Sequence, residues 1–246
     1  MSVIGEVHSL WRYPVKSMRG EELQEAFVGF HGIYGDRLFA FGSSASSKGV
    51  LYLTAREQKE MLLCRPRFRP ADQATPSADP ADLVLDVETP SGDVLAVDDP
   101  ALIRRLGERI GDGQAVTLLR SDRAMTDCRP VSLFSVQTVN QIGDEIGASV
   151  DKLCFRANIY LDCESAAGFH EDTFVGQKLR IGSQATISVL ERDPRCVMIT
   201  LDPETGESDP RILRTVARAH DGKAGVYGAV LVEGTVRQGD AVEVVG

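Results

Sequence analysis

Cysteine is scarce in this chain and follows no pattern: there are five in 246 residues, with no C-x-x-C pair, no zinc-ligand spacing and no His-rich tract. That argues against a disulfide framework and a cysteine-held structural metal, and it fits a reducing compartment. No apolar run approaches the ~20 residues a membrane-spanning helix needs. The opening Met1-Ser2-Val3-Ile4-Gly5-Glu6 lacks the basic and apolar regions of a secretory leader. The expected location is therefore cytoplasmic, with no membrane partner. Also missing are G-x-G-x-x-G at a strand-to-helix junction, G-x-x-x-x-G-K-[ST] and G-x-S-x-G. Neither nucleotide phosphate loop nor a hydrolase nucleophile elbow is supported. Basic residues number 27 against 36 acidic, a net charge of −9, which argues against nucleic acid as a stable partner. The four histidines, His8, His31, His170 and His220, stand singly, and none is given a catalytic role.

What the chain has in quantity is short strand-like runs. Alternating or β-branched and aromatic stretches at 3–12, 25–30, 37–42, 50–54, 83–88 and 94–97 are bounded by Gly, Pro, Asn, Asp and Ser, the signature of many short strands. A Ser-rich tip lies at 43–49, and the prolines of 65–81 predict a surface loop. Asp99-Pro100 is an N-cap followed by proline at the first helical position, predicting a helix to about Ile110. Further on, strands are expected at 115–119, 158–162, 178–181 and 185–191, after Cys196, and twice at the end. Helices are expected near 135–146 and, from Asp209-Pro210, to about His220. The sum is a mainly β, α+β chain, a barrel core with a few peripheral helices. It divides into a β-rich region 1–98, a connecting helix 99–114 and a second unit 115–246.

Cys196 has the most suggestive surroundings, Arg192-Asp193-Pro194-Arg195-Cys196 with a strong turn, Asp202-Pro203-Glu204-Thr205-Gly206, soon after it. Cations near a cysteine favour the thiolate, the form that attacks or binds metal. The plain alternative is a small buried core residue. Lys16 and Ser17 in Tyr13-Pro14-Val15-Lys16-Ser17 suit an anion such as phosphate, or form a solvated turn. Arg37 after Gly35-Asp36, Thr54 with Arg56, and Arg156 with Asn158 sit at predicted strand ends. Each alone is an ordinary surface residue; at one barrel mouth with Lys16 and Arg195 they would make a basic pocket for a phosphorylated ligand.

These stretches, in this order, resemble the MOSC family, closest to the branch that holds the amidoxime-reducing component and its bacterial relatives. The resemblance spans nearly the whole chain, as an N-terminal β-barrel region followed by the MOSC region. It implies a molybdenum cofactor, with Cys196 as the protein ligand of the metal and the other sulfur ligands supplied by the pyranopterin. It also implies cofactor contacts from Lys16, Ser17, Arg37, Thr54, Arg56, Arg156 and Asn158, from Ser135 at a helix start, and from Arg195 near the thiolate. Two positions depart from the pattern: Ala157, where relatives often carry proline, and Pro194, where the amidoxime-reducing proteins tend to have a small polar residue.

The function so implied is a molybdenum-dependent oxidoreductase that reduces small N-hydroxylated compounds to the amine and water. Val242-Glu243-Val244-Val245-Gly246 closes the sequence without the clustered cysteines of an iron–sulfur domain. Electrons are therefore expected from a separate protein, ferredoxin-like or a flavin reductase. Two other readings stay open: a carrier of the cofactor or of a persulfide on Cys196, and a barrel whose basic mouth binds another phosphorylated ligand.

Overall fold

A computed structural model describes residues 2–44, 51–69, 79–108, 110, 115–163 and 166–245. Its centre is a closed barrel of seven strands. Ile159–Asp162 lies beside Val131–Ser135, followed around the wall by Lys223–Val232, Ala185–Pro194, Lys178–Ile181 and Ala241–Val245. The first strand, Ser2–Arg12, closes the ring by pairing with Ala241–Val245 on one side and Ile159–Asp162 on the other. Its alternation of exposed and buried residues is broken at the Val7/Ser9 bulge, so that both Val7 and Leu10 reach the interior. A register shift interrupts each of these pairings, between Val3 and Gly5 against Ala241–Val245 and between Val7 and Ser9 against Ile159–Asp162. All barrel pairings are antiparallel except Val131–Ser135 with Ile159–Asp162.

The barrel interior is aliphatic, filled by residues such as Val7, Leu133, Leu161, Ile187, Val226 and Val242. A second core, with Val15, Met18, Phe41, Leu85 and Leu102, lies among the smaller sheets and helix α1 (Pro100–Gly107). Those sheets have three strands each. One joins Phe39–Ser43 to Tyr52–Leu53 and Val116–Arg120; another is Arg65–Arg69, Val84–Glu88 and Val94–Ala96. A third core, with Phe134, Phe155, Tyr160, Ile212 and Val216, packs under α2 (Val136–Ile146) and α3 (Pro210–Ala219). The sequence division at 98 and 115 is crossed by both Ser2–Arg12 and the Phe39–Ser43 sheet.

Several elements differ from the sequence expectation. The proline-rich stretch 65–81 begins as a strand, Arg65–Arg69, in which Pro66 is tolerated because the strand lies at a sheet edge. Residues 70–78 of that stretch, like 45–49 of the Ser-rich tip, fall outside the described residues. Val131–Ser135 is an unanticipated barrel strand, buried at all five positions and passing straight into α2. The segment after Cys196 is a 3-10 turn, Val197–Thr200, held by Ile199 N–H donating to the Cys196 carbonyl at 3.2 Å. Three strands close the chain instead of two, the extra one being Gly234–Arg237. Asp99 and Asp209 cap their helices as expected, accepting from Ala101 N–H at 2.7 Å and Arg211 N–H at 2.9 Å.

Gly225, in the strand Lys223–Val232, has φ +74°, and a Cβ there would lie 2.5 Å from Phe134 Cδ2 and 3.0 Å from Arg195 Nη2. Gly225→Ala combines left-handed strain with overpacking and is expected to cost about 2–4 kcal/mol. Denaturant unfolding reads this directly; a variant as stable as the wild type would contradict the crowding.

Candidate functional site

At one end of the barrel, the strand Ser2–Arg12 ends where Ile159–Asp162 and Val131–Ser135 begin, and Ala185–Pro194 ends where Lys223–Val232 begins. Backbone hydrogen bonds draw the flanking segments over this mouth. Arg37 N–H donates to the Tyr13 carbonyl at 2.7 Å, Lys16 N–H to Phe39 at 2.8 Å, and Arg195 N–H to Gly222 at 2.8 Å. The result is a cleft of about 800 Å³, open to solvent.

Lys16, Ser17, Arg37, Thr54, Arg56, Arg156, Asn158, Arg195 and Cys196 all line it. Of the residues singled out from sequence, Ser135 alone is not brought to the wall. It is fully buried as the N-cap of α2, and its hydroxyl is committed to Glu171 at 2.7 Å and Thr138 at 2.9 Å. Ser132, three residues earlier, lines the cleft in its place.

The backbone at the mouth is unusual. Among the described residues five non-glycine residues have positive φ, and Ser17 (66°), Arg37 (47°) and Arg156 (53°) are among them and line the cleft. Left-handed backbone at such residues is uncommon and collects at ligand sites, where the surroundings over-determine it. Here the surroundings are identifiable. Tyr13 is buried, with the Arg37 guanidinium 4.7 Å and the Arg156 guanidinium 4.4 Å from its ring centre. Buried Asp36 accepts from Tyr13 N–H at 2.7 Å and pairs with Arg37. Arg37 donates to the Arg156 carbonyl at 3.1 Å, and Arg156 to the Met18 carbonyl at 2.8 Å. Burial, with nearby Arg37 adding to it, brings Arg156 down to about 10, so it keeps its charge at neutral pH.

Lys16 Nζ donates to the Met125 carbonyl at 2.9 Å and to Asp127 at 2.7 Å. Burial lowers its pKa, and Asp127 opposes that. Thr54 accepts from Arg56 Nε at 3.1 Å. Asn158 is largely structural: its amide oxygen accepts from the Ser132 hydroxyl at 3.1 Å, and its amide nitrogen donates to the Trp11 carbonyl at 3.3 Å. Arg195 donates to the carbonyls of Ala224 at 2.7 Å and Phe155 at 2.8 Å and pairs with Asp193 at 2.9 Å. Its Nη2 is buried and has no hydrogen-bond partner among the described residues.

Among the described residues six cationic side chains, Lys16, Arg37, Arg56, Arg129, Arg156 and Arg195, line the cleft against two carboxylates, Asp127 and Asp193. On a chain of net charge −9, this is a local basic site suited to an anionic ligand. Two cysteines also line it. Cys154 is buried, and burial pushes its thiol up to about 12, whereas Cys196 is exposed at the wall. Cys196 is thus the thiol open to a ligand. Among the described residues no three of His, Cys, Asp and Glu cluster as a metal site. A soft metal held at Cys196 would take further ligands from outside the chain.

Sequence reasoning missed Arg129, Ser132, Asp193 and Tyr227 as wall residues. Asp193 stood in the segment singled out around Cys196, yet nothing local marked it as buried. Burial raises its pKa to about 6, while Arg195 and a hydrogen bond with Tyr227 pull the other way.

No helix among the described residues is long and apolar enough to cross a membrane. Residues 4–108 match the MOSC N-terminal beta barrel domain, and residues 120–243 match the MOSC domain. The chain is 24% identical to mitochondrial amidoxime-reducing component 1 of Mus musculus, over 99% of this chain and 83% of that protein. It is 37% identical to mitochondrial amidoxime reducing component 2 of Rattus norvegicus over 87 residues, 35% of this chain and 24% of that protein. Among solved structures, the YUAD protein from Bacillus subtilis is similar in fold, with a TM-score of 0.52 at 14% identity, over 98% of this chain and 94% of that one. With both models matched in order along the sequence and a mainly β barrel fold to carry them, the chain belongs to the MOSC domain family.

Proposed function

We propose that this protein is a molybdenum-cofactor-dependent oxidoreductase that reduces small N-hydroxylated compounds, with electrons supplied by a separate ferredoxin-like or flavin protein. The observation that carries the reading is the meeting of one exposed thiol, Cys196, with six cations from distant parts of the sequence in a single cleft. The donor set fits the cofactor. A thiolate suits a soft metal, and guanidinium and ammonium groups suit a phosphate. The buried Arg195 Nη2 is a donor with no acceptor among the described residues. Kinship with the amidoxime-reducing components supports the substrate class.

When bound, the cofactor supplies the two-electron chemistry. The chain's own residues would divide the remaining work. Cys196 would hold the metal, and Lys16, Ser17, Arg37, Thr54, Arg56 and Arg156 would hold the pterin and its phosphate, with Asn158 bracing the wall behind them. Arg195, fixed by two carbonyls and Asp193, would stand beside the thiolate. Arg37 and Arg156 are already fixed by Tyr13 and backbone carbonyls, so their rotamer entropy is lost on folding and not on binding.

Purified from a cofactor-competent host, the protein should carry near-stoichiometric molybdenum by elemental analysis and reduce N-hydroxylated compounds. Cys196→Ser should lose both. Full metal and activity in that variant would refute the ligand assignment, and a persulfide on Cys196 without turnover would favour the carrier reading. Arg56 is exposed and bonded through Thr54, so Arg56→Gln should leave stability within about 0.5 kcal/mol. It should weaken cofactor retention on gel filtration by about tenfold, the worth of one charge-assisted hydrogen bond. Unchanged retention would remove Arg56 from the binding set.

A further inference from the structure

Reducing an N–OH group consumes protons as well as electrons: R–NH–OH + 2 e⁻ + 2 H⁺ gives R–NH₂ + H₂O. The electrons come from the reduced ferredoxin-like or flavin donor. The proton that turns the departing hydroxyl into water is best supplied by a positioned acid whose pKa lies near the working pH. Among the described residues two carboxyls line the cleft, Asp127 and Asp193. Asp127 has its side chain exposed at the rim and pairs with Lys16 at 2.7 Å. Crowding by the cleft walls pushes it up, but Lys16, Arg37 and Arg56 together hold it below the usual carboxylate range, so it has no proton to give.

Asp193 differs in burial and in the direction of its pKa shift. Its side chain is 3% exposed, it pairs with Arg195 at 2.9 Å and hydrogen-bonds Tyr227, and it sits three residues before Cys196 at the end of Ala185–Pro194. The groups that face it are Arg195, Tyr227, Asp127 and Arg37. Burial outweighs its pairing with Arg195 and brings it to about 6. Burial also raises the Tyr227 phenol, so Tyr227 stays a neutral hydrogen-bonding partner. Asp193 and the exposed thiol of Cys196 line the same cleft.

We propose that Asp193, paired with Arg195 and hydrogen-bonded to Tyr227, is the acid that protonates the oxygen leaving the N–O bond. This rests on the oxidoreductase reading above. The N–O bond breaks as two electrons enter. The oxygen departs as water, carrying its own proton and the one from Asp193. The nitrogen takes the second proton from solvent through the open cleft, and the Asp193 carboxylate is reprotonated the same way.

The test compares wild type, Asp193→Asn and Asp193→Glu at equal molybdenum content, with a simple aryl hydroxylamine as substrate and reduced methyl viologen as electron source. In wild type, kcat should fall by up to about tenfold per pH unit above pH ~6, because the donor must be protonated. Asp193→Asn should be slower by about 100-fold or more, with that limb gone, and Asp193→Glu should restore a sloping limb. A second readout needs no turnover: on the full chain purified without cofactor, a protonated-carboxyl infrared band should titrate near pH ~6 and be missing from the Asn variant. A wild-type rate and pH profile in Asp193→Asn overturns the proposal alone, as does a wild-type protein without the titrating band. If Asp193→Asn fails to fold, the Glu variant's profile and the wild-type band decide. A molybdenum-loaded wild type that does not reduce the probe overturns the oxidoreductase reading, and the proposal with it.

Discussion

Closure of the barrel by the first strand is the constraint on which the site depends. Ser2–Arg12 pairs with strands from the end and from the middle of the sequence. Its continuation, Tyr13 to Ser17, is thereby fixed beside the Arg156–Asn158 turn and across from the Cys196 segment. Trp11 N–H donating to the Asn158 carbonyl at 2.8 Å is the last rung of that closure, and the Tyr13 hydroxyl donating to the Ala157 carbonyl at 3.2 Å extends it into the mouth. Without the ring, residues 16, 37, 156 and 195 have no reason to be neighbours.

Closure creates an electrostatic problem that the local structure solves. Arg37 and Arg156 are both half-buried around one tyrosine, and like charges in such a place repel. Asp36 offsets one charge, the Tyr13 ring faces both, and carbonyls of Met18 and Arg156 accept from the guanidiniums. Left-handed backbone at Ser17, Arg37 and Arg156 is part of the same arrangement. The cations are oriented before any anion arrives, which is what a tightly held phosphorylated cofactor requires.

The barrel strands that alternate, such as Ser2–Arg12 and Lys178–Ile181, were legible because each keeps one face out of the core. Val131–Ser135 was not, since a strand buried on both faces shows no period and here runs directly into a helix. Arg65–Arg69 was hidden by Pro66, whose exclusion from strands lapses at an edge. In the site, cations at strand ends next to turn residues were legible as a set, and nine of the ten singled-out residues line one cleft. Asp193, Arg129 and Tyr227 were not, because their significance lies in burial and in neighbours far along the sequence. Ser135 carried a helix-start signal that is satisfied by capping.

The central claim is that Cys196 holds molybdenum at the basic mouth of the barrel. Anomalous diffraction at the molybdenum edge, on crystals of protein purified with its cofactor, tests it most directly. The account predicts one strong anomalous peak within bonding distance of Cys196 Sγ, with pterin density running toward Lys16 and Arg156. A metal peak elsewhere, or cofactor density in the cleft with Cys196 Sγ turned away from the metal, would contradict it.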